Sequence, residues 1–248
     1  MTDINTLDKP ETTLEHRAIV LSKPFLKQIH TDWYNEFKQY DEANTTTGKI
    51  LEIGAGGGFL KDIYPKVITS DIMPLDCCDM QFSATEMPFE DNTIKSIFML
   101  NVLHHIPDNE AFFKEADRVL NKDGFIYMVE PANTLFSRFI YKNFHHEPFE
   151  ENVVDWKFES KGPLSDANGA LPYIIFKRDI QKFNQLFPNL ELVAFKYHTP
   201  FKYLLSGGLS KPALVPFTFY KLINFIEKIC SPILPYIAMF QTIIIKKK

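Results

Sequence analysis

The amino-acid sequence predicts an α/β fold, with a doubly wound and mostly parallel seven-stranded sheet, helices on both faces and additional helical cap segments. Three observations support this prediction. The chain has 248 residues, a length that one α/β domain can fill. From Lys49 onward, short apolar runs alternate with helical segments, which is typical of βαβ units. A glycine-rich loop directly follows the first of these runs.

The composition is that of an ordinary globular protein. Hydrophobic residues make up 45% and charged residues 23%, which excludes a disordered or fibrous chain. The formal net charge of −4 gives no reason to expect a nucleic-acid partner. The three cysteines lack metal-ligand spacing and indicate a reducing, cytoplasmic environment. The polar N-terminus is unlike a signal peptide, and no apolar run reaches the length of about 18 residues that a spanning helix needs.

Hydrophobic periodicity and capping signals place the elements in chain order. Apolar residues recur at helical spacing in several segments, and Asp108 stands where a carboxylate can cap one of these helices. The predicted helical segments are residues 14–40 with a break at Pro24, Asp108 to near Gly124, Asp179–Phe187, and a stretch within 212–235. The predicted strands are Lys49–Ile53, Lys66–Ser70, Asp79–Phe82, Ser96–Leu100, Gly124–Val129, Leu190–Tyr197 and Met239–Ile245.

The glycine loop within residues 50–60 and the acidic residue after it together predict a nucleotide site. Glycines at 54, 56, 57 and 58 permit positive φ and let a ligand approach the backbone beside a helix start near Phe59. Asp71 follows the next predicted strand, where a carboxylate can accept both hydroxyls of a ribose. The alternative is a glycine turn near an unrelated surface aspartate.

The loop also discriminates between nucleotide classes. A dinucleotide fingerprint that starts at Gly54 requires a small residue at position 59, which is Phe59 here. The Gly-Lys-Ser/Thr sequence of a triphosphate-binding loop is absent as well. The segment instead reads Glu-x-Gly-x-Gly-x-Gly from Glu52 to Gly58.

This segment resembles motif I of the class I S-adenosylmethionine-dependent methyltransferases, which have a Rossmann-like fold. Residues 84–92 resemble the loop on the adenine side in that family, and residues 101–108 resemble the segment after the fourth strand. Residues 118–125 resemble the turn before the fifth strand. The resemblance is good over residues 49–131 and at the final strand, and it is specific for fold and cofactor rather than for substrate.

The resemblance implies S-adenosylmethionine as the cofactor and assigns residues to its parts. The methionine end would contact Glu52, Gly54, Ala55, Gly56 and Gly58. The ribose, the adenine and the floor under the sulfonium would contact Asp71, Ile72, Ser83, Ala84, Thr85 and Asn101. The sequence departs from the family pattern at Ser83, where an aspartate usually meets the adenine, and at Lys95 and Lys122-Asp123, which we interpret as structural.

Three side chains are candidates for acid–base catalysis at the end of the predicted sheet. His104 and His105 follow the fourth strand, and Glu130 ends the fifth strand, so all three are expected at the same crevice. Packing or loop-orienting roles remain the alternative for the two histidines, and Glu130 either contacts the substrate or caps a neighbouring helix. The His145-His146-Glu147 sequence is a second cluster, for which we expect a substrate-contacting loop rather than a metal site, because contiguous residues converge poorly on one ion.

A single domain with a covered crevice is therefore expected. Residues 1–47 form an N-terminal arm, residues 48–131 the cofactor-binding core, and residues 132–178 and 199–237 substrate-cap insertions. Their Phe- and Tyr-rich segments favour a small or lipid-like acceptor, and oxygen is the expected methylated atom. No metal is expected.

Other partners and functions stay open from the sequence alone. The helix at 213–229 and Lys246–Lys248 could contact a membrane surface, although a buried lid helix is the simpler interpretation. An NAD-dependent oxidoreductase is the first rival, against which Phe59 argues. A non-catalytic nucleotide-binding protein is the second, with Ser83 as its main hint.

Overall fold

A twisted seven-stranded sheet organises the protein. The computed structural model describes residues 8–145, 147–160, 162 and 164–248. The strand order is β3-β2-β1-β4-β5-β7-β6, and β7 runs antiparallel to β5 and β6, while the pairings among β1 to β5 are parallel. This confirms the predicted α/β class and its mostly parallel sheet. The strands are β1 (Lys49–Ile53), β2 (Val67–Asp71), β3 (Met80–Gln81), β4 (Ile94–Leu100), β5 (Leu120–Pro131), β6 (Leu190–His198) and β7 (Phe240–Lys247).

Helices cover the sheet and extend into the cap segments. The α-helices are α1 (Pro10–Ser22), α2 (Pro24–Ala43), α3 (Leu60–Ile63), α4 (Asn109–Val119), α5 (Leu135–Phe144), α6 (Leu171–Tyr173), α7 (Ile180–Leu186), α8 (Lys202–Leu205), α9 (Tyr220–Ile229) and α10 (Leu234–Ile237). Short 3₁₀ turns span Leu103–His105, Phe217–Phe219 and Ser231–Ile233, and a π-helical turn spans Ile174–Arg178. Within the described ranges, none of the helices has both the length and the apolarity to cross a membrane.

Capping residues explain several helix boundaries. Pro24 separates α1 from α2, as the sequence predicts. The Asp108 side chain accepts a hydrogen bond from the N–H of Ala111, which confirms it as the cap of α4. Helix α5 was not predicted from the sequence, where residues 132–178 were assigned to a cap insertion. Thr134 and Ser137 cap this helix reciprocally through side-chain and backbone hydrogen bonds.

The N-terminal arm packs on one face of the sheet. Phe37 of α2 stacks on Phe98 of β4, with ring centroids 4.9 Å apart. Below this contact, the Lys95 Nζ atom lies 3.0 Å from a carboxylate oxygen of Asp41 and also donates to the Asp41 carbonyl. Asp41 also accepts a hydrogen bond from the Tyr64 hydroxyl. The lysine that departs from the family pattern therefore ties α2 to the sheet, which is a structural role.

The segment 199–238, here called the C-terminal cap, packs on the same arm. Phe25 and Tyr220 form an edge-to-face pair with centroids 5.1 Å apart, and the Tyr220 hydroxyl donates to Asp32. Lys23 donates through Nζ to the carbonyl oxygen of Gly208 at 2.7 Å. These contacts hold the C-terminal cap at the edge of the sheet where β4 and β5 end.

The direction of β7 separates the C-terminal cap from the end of the chain. Phe240, at the start of β7, pairs with Pro131 at the end of β5, whereas Lys246 pairs with Phe125 near the other end. The Lys246 side chain also forms an ion pair with Asp123, which lies within β5 and adopts a φ of +64°. The C-terminal cap and Lys246–Lys248 therefore lie at opposite ends of these strands and do not form one continuous surface. The expected membrane contact itself stays a prediction.

Candidate active site

The glycine loop after β1 is held against the end of β2 by hydrogen bonds to one carboxylate. Gly56 donates its N–H to Asp71 Oδ2 at 3.0 Å, and Met73 donates its N–H to Oδ1 at 2.9 Å. Gly54 has a φ of +65°, and a Cβ atom there would lie 2.6 Å from a methyl group of Val102. A side chain at this position would therefore collide with the loop after β4. The structure thus brings the predicted loop residues and Asp71 together.

Asp71 is a buried carboxylate with capacity to bind more donors. Only 6% of the residue is exposed, and burial raises the pKa of its carboxyl group, while the N–H donors of Met73 and Gly56 oppose that rise. Each carboxylate oxygen can accept two hydrogen bonds, so the two backbone donors leave capacity for two hydroxyl groups. This geometry suits a sugar diol.

Two buried oxygen atoms near the loop have no hydrogen-bond partner among the described residues. They are Oε2 of Glu52, near the end of β1, and Oδ1 of Asn101, which follows β4 with a φ of +56°. An unsatisfied buried acceptor costs about 1–3 kcal/mol, more when it is charged. Burial, reinforced by Asp71, raises the pKa of Glu52 to about 8, although Arg17 opposes this. The pair forms a set of acceptors suited to a ligand with ammonium or other N–H donors.

Helix α1 covers this part of the site, which the sequence analysis did not predict. Thr13 and Arg17 pack against Gly56 and Gly57, and the Thr13 hydroxyl is a further buried group with no partner among the described residues. The cavity that Arg17 and Glu52 help to line holds about 70 Å³. Small-molecule sites have volumes of about 300 Å³ or more, so this cavity is only one part of a site for a nucleoside-sized ligand.

The adenine side of the predicted site lies beside Asp71 and is more open. Phe82 donates its N–H to the Asp71 carbonyl, which places residues 83–85 next to the end of β2. Ile72 is 51% exposed, as suits a residue that lies against a planar ring. The Ser83 and Thr85 hydroxyls are 2.8 Å apart and hydrogen-bond to each other. Ser83 is therefore engaged locally, and Ala84 lies between the two hydroxyl residues.

The predicted acid–base residues meet at the ends of β4 and β5. Glu130 accepts hydrogen bonds at Oε1 from the N–H groups of Val102 and Leu103, at 2.9 and 2.8 Å. Its Oε2 atom lies 2.6 Å from Nδ1 of His104. Glu130 is fully buried, so it positions the loop after β4 and the His104 ring rather than facing the crevice. Of the two roles left open for Glu130, the structure supports the capping role.

Glu147 joins this group from the second cluster noted in the sequence. One of its oxygens lies 3.5 Å from His104 Nε2, and the other lies 3.7 Å from His105 Nε2. His145 also contacts it at 3.7 Å, whereas His146 falls outside the described residues. We call His104, His105, Glu130 and Glu147 the histidine cluster. From the sequence, His104, His105 and Glu130 were assigned to one candidate site and Glu147 to another.

The two adjacent histidines of the histidine cluster differ in charge. Burial opposes protonation of His104, but Glu130 and Glu147 outweigh it and raise the pKa to about 10. Burial and the neighbouring His104 cation lower the pKa of His105 to about 4. Although burial alone would raise it, these histidines hold the pKa of Glu147 well below its usual range. At neutral pH the cluster therefore contains one imidazolium, one neutral imidazole and two carboxylates.

The same cluster supplies a possible set of metal ligands. One donor atom each from His104, His105 and Glu147 lies within 4.8 Å of the other two. Two imidazoles and a carboxylate are a known donor set for zinc. Because His104 is protonated here, a cation would first have to displace that proton. With His104 protonated, these three side chains therefore form an ion-pair network.

A family model matches the part of the chain that carries the glycine loop, Asp71 and the two adjacent histidines. Residues 51–128 match the family model described as a methyltransferase domain. No functionally curated protein matches the chain. Among solved structures, the chain is similar to a SAM-dependent methyltransferase from Archaeoglobus fulgidus, with 14% identity, a TM-score of 0.50, and coverage of 88% of this chain and 94% of that one.

Two further solved structures are similar over most of the chain. One is a SAM-dependent methyltransferase, possibly a histamine N-methyltransferase, from Thermotoga maritima, with 17% identity, a TM-score of 0.49, and coverage of 96% of this chain and 99% of that one. The other is geranyl diphosphate C-methyltransferase from Streptomyces coelicolor A3(2), with 11% identity, a TM-score of 0.47, and coverage of 99% of this chain and 88% of that one.

The family match covers all the residues that were predicted from the sequence to hold the cofactor. The matched residues include the glycine loop, Asp71, residues 83–85, Asn101 and the two histidines of the cluster. The similarity to the Archaeoglobus fulgidus structure supports the fold, including its mostly parallel seven-stranded sheet. Residues 51–128 thus match a methyltransferase domain, and the chain has a fold similar to that of the Archaeoglobus fulgidus structure.

Proposed function

We propose that this methyltransferase transfers the methyl group of S-adenosylmethionine to a hydroxyl group of a small or amphipathic acceptor, with His105 as the base. The observation that carries the proposal is the pair of buried oxygens of Glu52 and Asn101 beside the glycine loop, which have no partner in the part of the chain that the structure describes. Burying such acceptors is costly unless a ligand supplies donors. The cationic methionine end of the cofactor supplies them.

The residues present fit the rest of the cofactor as well. Asp71 retains the capacity to accept two ribose hydroxyls, and Ile72 offers an exposed apolar side chain to the adenine ring. Ser83 and Thr85 would meet the adenine edge, together with the backbone around Ala84. When bound, the cofactor supplies an electrophilic methyl group on a sulfonium. The protein's part is to hold the reacting groups in line and to exclude water.

The division of charge within the histidine cluster supports His105 as the proton acceptor. His105 is the neutral histidine, and its Nδ1 lies 3.3 Å from the Asp166 carbonyl, which can orient the ring by accepting the Nδ1 proton. Its Nε2 atom is then the lone-pair acceptor for the hydroxyl proton. The negative charge of Glu147, whose Oε1 lies 3.7 Å from Nε2, would stabilise the resulting imidazolium. His104 and Glu130 act as positioning residues.

An acceptor that loses a proton on methylation fits this arrangement best. A hydroxyl group is such an acceptor, because its proton leaves as the oxygen attacks the methyl carbon. Aromatic residues of the cap segments support an acceptor with apolar surface. Burial raises the pKa of the Tyr141 and Tyr203 hydroxyls, and the nearby charge of Glu147 adds to the rise in both. Their rings bring apolar surface to the region around the proposed base.

Two experiments test the proposal in sequence. Calorimetry with S-adenosylmethionine, S-adenosylhomocysteine and NAD(H) should show binding of the first two ligands. Incubation with cofactor carrying a labelled methyl group and a cell extract should then yield a labelled small molecule, whose methylated atom is identified by mass spectrometry. Tighter binding of NAD(H) would favour the oxidoreductase alternative. Cofactor binding without label transfer to any extract would favour a non-catalytic binding protein.

A further inference from the structure

We infer that the C-terminal cap is a docking surface for an anionic lipid bilayer. The inference goes beyond methyl transfer and can be tested without the cofactor. It rests on three features of the cap: the outward orientation of its apolar residues, the sign of its exposed charges, and its continuity with a second apolar group on α5.

Helix α9 turns its apolar stripe outward. Leu222, Phe225, Ile226 and Ile229 recur at spacings of three and four residues, which places them on one side of the helix, and all four are exposed. The largest exposed fractions on this stripe are 60% for Phe225 and 64% for Ile229. The sequence analysis favoured a buried lid helix. The structure contradicts that interpretation, because most of the apolar side chains of α9 face solvent.

A buried acidic residue explains why the helix has this orientation. Glu227 is only 7% exposed and accepts hydrogen bonds at Oε1 from the N–H groups of Phe201 and Lys202. Its other oxygen lies 3.4 Å from Lys202 Nζ. Tyr220 and Ile223 are buried on the same side. The polar contacts of Glu227 anchor this side of α9 to the protein and leave the apolar stripe unpartnered among the described residues.

The exposed charges of the C-terminal cap all have one sign. Lys211, Lys221 and Lys228 are exposed, and Glu227, which is buried, is the only acidic residue between positions 199 and 238. Lys221 and Lys228 are seven residues apart and therefore lie along one border of the apolar stripe. An apolar face bordered by lysines suits the surface of a bilayer with anionic headgroups. Such a face is much less suited to a partner whose surface is neutral or positively charged.

The exposed apolar surface extends beyond α9. Phe217 and Phe219 precede the helix, and Ile233 and Tyr236 follow it, all with at least 44% exposure. Helix α10 packs beside α5, on which Leu135, Phe139 and Phe144 are also exposed. Exposed apolar surface of this extent marks an interaction site in a soluble protein.

A second copy of the chain is a less suitable occupant. In a two-fold symmetric dimer, the same patch meets itself, so the lysines bordering one stripe would approach those of the other. The C-terminal cap has no exposed acidic residue to pair with them. Headgroup phosphates would instead neutralise these lysines while the apolar side chains enter the interface.

The inference is tested by vesicle co-sedimentation with the full chain. Vesicles of phosphatidylcholine with phosphatidylglycerol should bind the protein more tightly than vesicles of phosphatidylcholine alone, and added salt should reduce the difference. The double variant Phe225→Glu/Ile229→Glu should lower the partition coefficient on anionic vesicles by about tenfold or more. Lys221→Glu/Lys228→Glu should remove the preference for the anionic vesicles.

A matched control uses exposed apolar residues elsewhere. Val154 and Leu186 are 81% and 46% exposed and lie outside the C-terminal cap, so Val154→Glu/Leu186→Glu adds the same charge. This control should bind vesicles like the wild type, and circular dichroism should confirm folding of each variant. Failure of the wild type to bind anionic vesicles, or equal binding by the Phe225/Ile229 variant, would overturn the inference. A dimer that forms in solution and is lost in that variant, without vesicle binding, would assign the surface to a second copy.

Discussion

Glu130 and His104 form a buried ion pair, with 2.6 Å between Oε2 and Nδ1 and no more than 2% exposure of either side chain. The carboxylate also fixes the loop after β4 through two backbone N–H groups. This one residue therefore sets both the position and the charge of His104. The fixed cation beside His105 explains why the two neighbouring histidines differ in protonation.

Glu130→Gln should lower the pKa of His104 and make stability less dependent on pH. Because the folded-state pKa of about 10 exceeds the ordinary value of 6.5, the pair stabilises the protein fully below about pH 6.5 and loses this contribution as the pH rises through about 10. Breaking such a pair costs about 3 kcal/mol. The stability difference between wild type and variant should therefore be largest near pH 6, as measured by denaturant unfolding. A difference that does not shrink toward pH 10 would contradict this account.

His105→Ala should lower turnover of the identified acceptor by about 100-fold or more while leaving the dissociation constant of the cofactor unchanged, as expected for loss of a general base. His145→Ala is the matched control, because His145 also contacts Glu147 but is more exposed. It should retain most of the activity. Dialysis against a chelator should leave wild-type turnover unchanged. Loss of both turnover and cofactor affinity in His105→Ala would indicate a structural role, and loss of activity on chelation would indicate a metal at the histidine cluster.

Glu52 should make cofactor affinity depend on pH. Its pKa of about 8 means that the carboxyl group is largely protonated at neutral pH, whereas a cationic ligand favours the carboxylate. Binding then requires loss of a proton, so affinity should rise by up to about tenfold per pH unit below about pH 8. Calorimetry on Glu52→Gln should show weaker binding, and the ratio of variant to wild-type dissociation constants should grow between about pH 6 and pH 8. A constant ratio would refute the role assigned to Glu52.

The same substitution should stabilise the protein at alkaline pH. The folded-state pKa of Glu52 lies above its ordinary value of 4.5, so ionisation is costlier in the folded chain, and wild-type stability falls as the pH rises from about 4.5 to about 8. Glu52→Gln lacks this ionisation. Its unfolding temperature should therefore exceed that of the wild type by a margin that increases with pH, at roughly 2–4 °C per kcal/mol. A margin that is independent of pH would count against a buried carboxyl group in the folded protein.

Lys95→Met should reduce stability without changing cofactor affinity. The substitution leaves the Asp41 carboxylate, which is only 1% exposed, without its cationic partner, and such a loss costs about 3 kcal/mol or more. The double variant Asp41→Asn/Lys95→Met should recover part of that loss, because it removes the unpaired charge. Thermal unfolding and calorimetry measure the two effects separately. An altered cofactor affinity in Lys95→Met would mean that this position belongs to the binding site.

The sequence predicted the elements whose residues carry strong local signals. The Lys49–Ile53 strand was predicted with its observed bounds, and the cap at Asp108 was identified because a carboxylate before an apolar stripe is a local feature. Helix α5 was missed although Leu135, Phe139 and Phe144 recur at near-helical spacing, because residues 132–178 were treated as one cap insertion. The reciprocal capping residues Thr134 and Ser137 were the signal that could have located it.

The features of the site that could not be predicted from the sequence depend on contacts between residues that are far apart in the chain. Nothing in the spacing of Thr13 and Arg17 indicates that α1 covers the glycine loop, since that contact depends on how the arm packs. Glu147 reaches His104 from a segment more than forty positions away in the chain. The orientation of α9 was likewise hidden, because it depends on the hydrogen bonds that Glu227 makes to Phe201 and Lys202.

The account depends most on the carboxylate that ends β2, and calorimetric titration of S-adenosylmethionine into Asp71→Ala tests it most directly. Loss of the ribose contacts should weaken binding by at least about tenfold, or about 1.4 kcal/mol, relative to the wild type. Circular dichroism controls for folding, because Asp71 also accepts hydrogen bonds from Gly56 and Met73. An unchanged dissociation constant in a folded variant would contradict the assignment of the cofactor site.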